Sequence, residues 1–554
     1  MPFSIVYQDF FDILIFIFLR GLFIKNFTQY KLILWVSLFL VLFYNYTFFN
    51  NILKVYPLNE ANFGFLVSLS ILLFSIIALI FTIFSSRWTI KPLLIFVLLV
   101  SSMTAYFMNT YNVIIDDVMI RNMLQTDVNE TMDLLSLKQV LYLIFLGLIP
   151  AYIVYRLPIK YRTVKGELLT KVLQIFVLTS IMGLSIFSYF KHYTSFTREH
   201  KPLRFSANPS YWIYSTGYYI NATLNSGSIQ VRPMGRDAKV LKNKTDVHKI
   251  IILVVGEATR ADHFSLNGYH RKTTPQLNKE DILNFSNVYS CGTSTAVSVP
   301  CMFSYYDKSN YNYKKGLYTE NILDVLSHSN EISILWRDNN SNSKGVALRV
   351  PYEGFRTKHT NTICIEGECR DEGMLADLDT YISEQKGKDV LIVLHQMGNH
   401  GPAYYKRYPK AFEKFTPTCK TNQLEECTQE EISNAYDNAI LYTDDFLVKT
   451  INVLKKFEKS HKTAMIYMSD HGESLGEKGI YLHGLPYFMA PKAQTHVPAF
   501  IWVNEQFKKT LHIDNLDTAK RYSHDNLFHT LLGIFSVQTE VYDPSLDIFQ
   551  SQKN

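Results

Sequence analysis

Cysteine is absent from the first 290 residues of this 554-residue chain, and no two cysteines stand in a C-x-x-C spacing. That argues against a zinc–thiolate site. Internal repeats and low-complexity tracts are also missing, so the chain is not an array of repeated units. An excess of charge is missing from its later part. Residues 1–200 carry 15 Lys and Arg against 10 Asp and Glu, and the remaining 354 carry 40 against 39. A near-neutral region without a basic stripe excludes nucleic acid as the partner.

What the chain does have is apolar runs. Five lie at about 32–50, 63–85, 92–111, 139–155 and 172–190, each near the ~20 residues that cross ~30 Å of hydrocarbon as a helix. Buried helices of a soluble protein would not be five near-chargeless segments in succession, and a cleaved leader needs one apolar core. An earlier run, Phe10–Phe23, is cut by Asp12 and Arg20 and is expected at the interface. With the N-terminus inside, ten Lys and Arg, among them Arg87, Arg156 and Lys171, fall on the cytoplasmic side. Only Lys54, Arg121 and Lys138 fall in loops on the other side. That asymmetry follows the positive-inside rule, and five crossings carry everything after about residue 190 outward.

The six cysteines support this topology. They form close pairs, Cys291/Cys301, Cys364/Cys369 and Cys419/Cys427, which in an exported domain read as disulfides. The expected organisation is a five-helix membrane domain over 1–190, a linker over 191–247 and an exported domain over 248–554. The linker shows no sustained period, although YWIYSTGYYI (211–220) has aromatics suited to a membrane interface.

The exported part alternates like an α/β fold. HKIIILVVG (248–256), EISILW (331–336), DVLIVL (389–394) and TAMIYM (463–468) read as buried parallel strands, with a helical pattern over 430–458. Polar residues follow each run: Glu257, Arg337 to Asn340, His395, and Asp470 with His471. Strand ends are where an open α/β sheet places its site. Two carboxylates and an imidazole with an open position suit a catalytic zinc ion. Taken alone, the pair reads rather as Asp470 capping a helix with His471 packed beneath it. The segment CGTSTAVSVPC (291–301) would present hydroxyls on a stiff loop, and Thr293, Ser294, Thr295 and Ser298 compete there as nucleophiles.

Longer motifs narrow the choice. VVGEATRADHFSLNGY (254–269), SCGTSTAVSVPCMFS (290–304), DNNSNSKG (338–345), HQMGNHGP (395–402) and SDHGESLGEKGIYLHGLPY (469–487) resemble the bacterial lipid A phosphoethanolamine transferases, which include the mobile colistin-resistance enzymes. NMLQTDVNE (122–130) and the five-helix anchor match as well, so the likeness spans nearly the whole chain.

The resemblance implies a multi-pass α-helical membrane domain joined to a periplasmic α/β domain. The latter is alkaline-phosphatase-like (sulfatase-like), with a mostly parallel central sheet. It implies that Glu257, Thr295, Asp470 and His471 hold at least one zinc ion and that Thr295 is the nucleophile. His400 and His483 would handle phosphate or protons. Asn340 and Lys344 would lie near the phosphoethanolamine, with His395 behind them. Asn122 and Glu130 would meet lipid substrate. One departure is Asn399, where the family pattern favours Ser.

The implied reaction moves phosphoethanolamine from phosphatidylethanolamine to lipid A through a threonine adduct, in the cell inner membrane and by a monomer. It would confer resistance to cationic peptides such as polymyxin. A core oligosaccharide, another glycan or an exported protein are alternative acceptors. A phosphoglycerol transferase is a more distant reading. So is a sulfatase, but neither Cys291-Gly292-Thr293 nor Cys301-Met302-Phe303 fits the C-x-P-x-R of a modified-cysteine sulfatase.

Overall fold

The computed structural model describes residues 27–125, 131, 134–224, 230–241, 247–365, 367–511, 513 and 516–550. The run Phe10–Phe23 and the residue Glu130 lie outside the described residues. Two compact units form, and they do not follow sequence order. One combines Met1–Asp117 with Leu135–Tyr218, and the other joins Val118–Leu134 to Tyr219–Asn554.

The first unit is helical. Its first apolar run is not one straight span, because α1 (Gln29–Tyr44) and α2 (Tyr46–Val55) meet at a 62° bend. Asn45 makes the break. Its side-chain amide donates to the Leu40 carbonyl at 3.0 Å and the Asn208 carbonyl at 2.7 Å. Its Oδ1 accepts the Asn208 N–H at 2.9 Å. In an apolar unit these bonds stand in for the ladder the bend interrupts.

Four further helices are long and apolar enough to cross a membrane: α3 (Glu60–Phe84), α4 (Ile90–Tyr111), α5 (Leu137–Arg156) and α6 (Val164–Ser188). The bent pair passes the same test as a fifth. Within α5 a π-helical stretch, Leu143–Leu148, precedes Pro150. A wider turn accommodates a residue that lacks an N–H and crowds the carbonyl four residues back. Only 6% of the most apolar window of α6 is buried against protein, so its apolar surface suits hydrocarbon surroundings. The aromatic stretch 211–220, without sustained period in the sequence, lies in helix α7 (Ser210–Leu224). Tyr211, Tyr214 and Tyr218 stack there along one face, with centroids 6.1 and 6.5 Å apart.

The second unit is built on an eight-stranded sheet. Its strands are β1 (Lys249–Gly256), β2 (Ile282–Tyr289), β3 (Ile332–Asp338), β4 (Tyr352–Gly354), β5 (Asp389–His395), β6 (Lys462–Ser469), β7 (His496–Val503) and β8 (Tyr522–Ser523). The order across the sheet is β8-β2-β7-β6-β1-β5-β3-β4, and β7 alone runs against the rest. Every residue of β1 is buried. Ile251, Leu253 and Val255 enter the core on one face, and Ile250, Ile252 and Val254 enter the core on the other. A strand covered on both faces needs such an unbroken apolar run. All four runs read as strands in the sequence are central here, and the pattern over 430–458 is the helix α9 (Gln429–Lys455), once α8 (Thr295–Met302) is counted before it.

All three expected disulfides are formed: Cys291–Cys301, Cys364–Cys369 and Cys419–Cys427. The short helix Asp117–Gln125, which carries Asn122, falls almost wholly in this second unit. Its Arg121 guanidinium lies 3.8 Å from the ring centre of Tyr313, a cation–π contact.

Candidate active site and metal centre

Four neighbouring strands deliver the site. In β1 and β6 the register pairs Gly256 with Ser469, so Glu257 and Asp470 leave adjacent strand ends together. On the other side of β1, Val255 pairs with His395 of β5, and His395 pairs with Asp338 of β3. The polar residues that follow these strands therefore meet at one end of the sheet, where parallel α/β sheets place ligands. Two close approaches are reserved for glycine. A Cβ on Gly472 would come 2.0 Å from the Ala493 carbonyl oxygen, and one on Gly398 would come 2.9 Å from the Glu257 carbonyl oxygen.

Glu257, Asp470 and His471 are fully buried, and their ligand atoms lie within 4.8 Å of one another. The His471 Nδ1 is 2.8 Å from the Gly472 carbonyl oxygen, which can only accept, so Nδ1 carries the proton. Its Nε2 lone pair then faces Asp470 Oδ2 at 3.3 Å and Glu257 Oε1 at 3.4 Å. Neither of those carboxylate oxygens has a hydrogen-bond donor. Their sister oxygens are well supplied. Glu257 Oε2 accepts from Thr295 Oγ1 at 3.1 Å and Asn340 Nδ2 at 2.8 Å. Asp470 Oδ1 accepts the N–H groups of Ala258 at 3.1 Å and His471 at 2.7 Å. Three acceptor atoms converge with no proton among them, and a cation satisfies that arrangement. One nitrogen and two carboxylate oxygens form a donor set that suits zinc.

Electrostatics agree with the geometry. Burial, with the Asp470 charge beside it, raises the Glu257 carboxyl. Burial likewise lifts Asp470 to about 6. Burial and the nearby His483 press His471 down to about 4, so its ring is neutral near pH 7.

Thr295 stands in the first turn of α8, where helix N–H groups favour a developing anion. Its Oγ1 is also 3.3 Å from His471 Nε2. Thr295 thus joins the cluster, whereas Ser298 turns its hydroxyl to the Asp470 carbonyl and Thr293 turns its own to the Leu485 carbonyl.

Across the cluster stand His400 and His483, with ring centres 5.6 Å apart, and His483 lies 4.3 Å from His471. His483 Nδ1 is held by Glu473 at 2.7 Å, and Glu473 in turn accepts the Tyr404 hydroxyl at 2.7 Å. Burial raises Glu473 to about 7. His471, Glu473 and His483 form a second group that could hold a cation. His395 is buried in the floor, its Nδ1 2.9 Å from Asp338 Oδ2. Lys344 is half-buried with a left-handed φ of 50°, and its ammonium donates to Ser341 Oγ at 2.5 Å. The structure therefore gathers Glu257, Thr295, Asp470, His471, Asn340, His400 and His483 at one place. Asn122 lies on the separate helix Asp117–Gln125.

Sequence reasoning passed over two supports. Glu473 stands within the motif SDHGESLGEKGIYLHGLPY (469–487), but nothing in the motif itself marks it as the partner of His483. His524 had no local signal. Its Nδ1 accepts the Cys291 N–H at 3.1 Å and its Nε2 donates to the Ser469 carbonyl at 2.9 Å, bracing the nucleophile loop against β6.

Similarity to known proteins bears on the whole chain. A sulfatase family matches residues 249–537, and the family described as phosphoethanolamine transferase EptA/EptB matches residues 73–224. The Escherichia coli phosphatidylethanolamine transferase Mcr-1 is 43% identical over 528 residues, covering 93% of this chain and 96% of its own. The chain belongs to the phosphoethanolamine transferase family. The structure of this family member is similar to the integral membrane lipooligosaccharide phosphoethanolamine transferase A of Neisseria meningitidis, with TM-score 0.90 and 33% identity. That likeness covers 95% of this chain and 99% of that one. The C-terminal periplasmic domain of Campylobacter jejuni phosphoethanolamine transferase EptC matches 59% of this chain and 99% of its own, with 40% identity and TM-score 0.52.

Proposed function

We propose that this transferase moves phosphoethanolamine from phosphatidylethanolamine to lipid A through a covalent adduct on Thr295, with zinc at Glu257, Thr295, Asp470 and His471. It is a multi-pass inner-membrane protein with its catalytic part in the periplasm, read as an anchor over 1–190, a linker over 191–247 and a catalytic domain over 248–554. The donor follows the name of the Mcr-1 relative, and the acceptor follows the lipooligosaccharide of the Neisseria relative. The single observation that carries the chemistry is the convergence of Thr295 Oγ1, His471 Nε2 and two undonated carboxylate oxygens.

Bound zinc would supply Lewis-acid charge to lower the pKa of a coordinated hydroxyl and polarise a phosphoryl oxygen. The rest falls to side chains. Thr295 Oγ attacks phosphorus as its proton passes toward the Glu257 carboxylate, 3.1 Å away. The bond from phosphorus to the diacylglycerol oxygen breaks, and an imidazole of the His400/His483 pair protonates that oxygen. Glu473 fixes the His483 ring for this role. Asn340 orients Glu257, and the Lys344 ammonium favours the phosphodiester charge. In the second half, an acceptor oxygen attacks phosphorus as its proton passes to the imidazole that protonated diacylglycerol. The bond from phosphorus to Thr295 Oγ breaks, and Glu257 returns the proton to Thr295. Each transfer adds a cationic amine to lipid A, weakens attraction to cationic peptides and gives polymyxin resistance.

Purified full-length protein incubated with phosphatidylethanolamine alone should gain one phosphoethanolamine mass on the peptide containing Thr295, read by mass spectrometry. Thr295→Ala should lose the adduct and diacylglycerol release, and Thr295→Ser should keep part of both. A phosphoglycerol adduct instead, or release by Thr295→Ala at the wild-type rate, contradicts the proposal.

A further inference from the structure

The reaction needs a second substrate, and the steps above assign no residue to holding it. One rim of the domain carries cations that the mechanism does not use. Lys308 places its ammonium on the face of Tyr487, and Arg521 places its guanidinium 4.5 Å from the ring centre of Tyr289. Both aromatic shelves grow from the site. Tyr487 stands four residues beyond His483, and Tyr289 ends β2 just before the loop that presents Thr295. The link continues through hydrogen bonds, since the Gly484 N–H donates to the Thr293 carbonyl and the Thr293 hydroxyl donates to the Leu485 carbonyl.

Neither cation is held in an ion pair: among the described residues, no carboxylate pairs with Lys308 or Arg521. The nearby acid, Asp525, spends its oxygens on the Lys308 N–H at 2.8 Å and the Ser523 hydroxyl at 3.0 Å. Burial and the Arg521 charge press the Lys308 ammonium down to about 8, against the pull of Asp525. A half-buried ammonium that makes no ion pair is a costly arrangement for a fold to keep. Lys520, Arg521 and Asn526, with the acid Asp525, also line a cavity of about 300 Å³. On the same rim Phe488, next after Tyr487, is 69% exposed, so an apolar tip adjoins the charge.

We infer that Lys308 and Arg521 bind the phosphate of the acceptor, a phosphorylated glycolipid whose hydrocarbon side meets Phe488. A phosphate monoester supplies the missing anion, and Arg and Lys are the side chains suited to it. The inference rests on the two-step reading above, because it assigns these residues to the second step alone.

The test separates the two half-reactions in full-length protein. Lys308→Gln/Arg521→Gln, with phosphatidylethanolamine alone, should form the Thr295 adduct at the wild-type rate. Transfer from that adduct to bis-phosphorylated lipid A should fall about tenfold or more through a higher KM. Lys308→Arg should restore much of it. Inorganic phosphate should compete only weakly because it lacks an apolar part. Unchanged transfer, or an equal loss of both half-reactions, overturns the inference. Wild-type protein that forms no adduct at all instead sinks the two-step reading.

Discussion

At the residue scale the site sets its own pH limit. Burial holds Asp470 at about 6 and His471 at about 4. A proton and a metal ion compete for the same Asp470 oxygen, so metal affinity should weaken as pH drops below about 6 and recover above it. His471 stays unprotonated until about 4 and does not set the limit. Zinc content after dialysis at pH 7.5 and pH 5 checks this, and equal content at both would contradict it. Asp470→Ala should lack zinc at either pH.

Ala258 is a second residue with a measurable role. It follows Glu257 at a left-handed φ of 53°, and its carbonyl accepts the Tyr436 hydroxyl at 2.7 Å. That conformation costs a non-glycine residue on the order of 1 kcal/mol or more, and Tyr436 with Asp470 holds it. Tyr436→Phe should therefore loosen Glu257 and weaken zinc affinity severalfold by competitive chelation. Adding Ala258→Gly, which lowers the conformational cost, should recover part of it. Glu257, Asp470 and His471 were legible in the sequence because buried strands end on them. Tyr436 and His524 were not, since each acts through hydrogen bonds on residues distant in the chain, such as Ala258 and Cys291.

At the scale of elements, legibility tracked the unbroken apolar run. The central strands announce themselves because both faces are covered. β2 and β7 do not. β2 interrupts its apolar residues with Asn284, Ser286 and Asn287, and β7 carries Pro498 where its pairing with β2 shifts register. Proline has no N–H for the ladder, so a bulge is its natural place. The apolar run over 32–50 likewise concealed the bend at Asn45, whose partner Asn208 lies far along the chain.

The nucleophile loop yields a prediction at this scale. The Cys291–Cys301 bridge ties the residue before Gly292 to the last turn of α8, across a separation of ten residues. Replacing both cysteines with serine should cost roughly 2–4 kcal/mol by the loop-entropy account. Thermal unfolding of the full-length protein should report it, and adduct formation on Thr295 should slow. An unchanged melting temperature would remove the bridge from any structural role.

At the scale of the molecule, charge asymmetry and cysteine placement agree on one topology. A phosphatase reporter fused after residue 200 should be active only as a periplasmic enzyme, and labelling without reduction should find no free thiol. Reporter activity confined to the cytoplasm would overturn the localisation and the setting the disulfides require.

The second compact unit draws Val118–Leu134 from one part of the chain and Tyr219–Asn554 from another, with Leu135–Tyr218 in between. On the ribosome, the early piece emerges long before the remainder exists. Completion of that unit must wait for the intervening helices to be made, so insertion precedes maturation. Grafting 219–554 onto a relative's anchor would pair the graft with a foreign 118–134, and a working hybrid needs both pieces exchanged together.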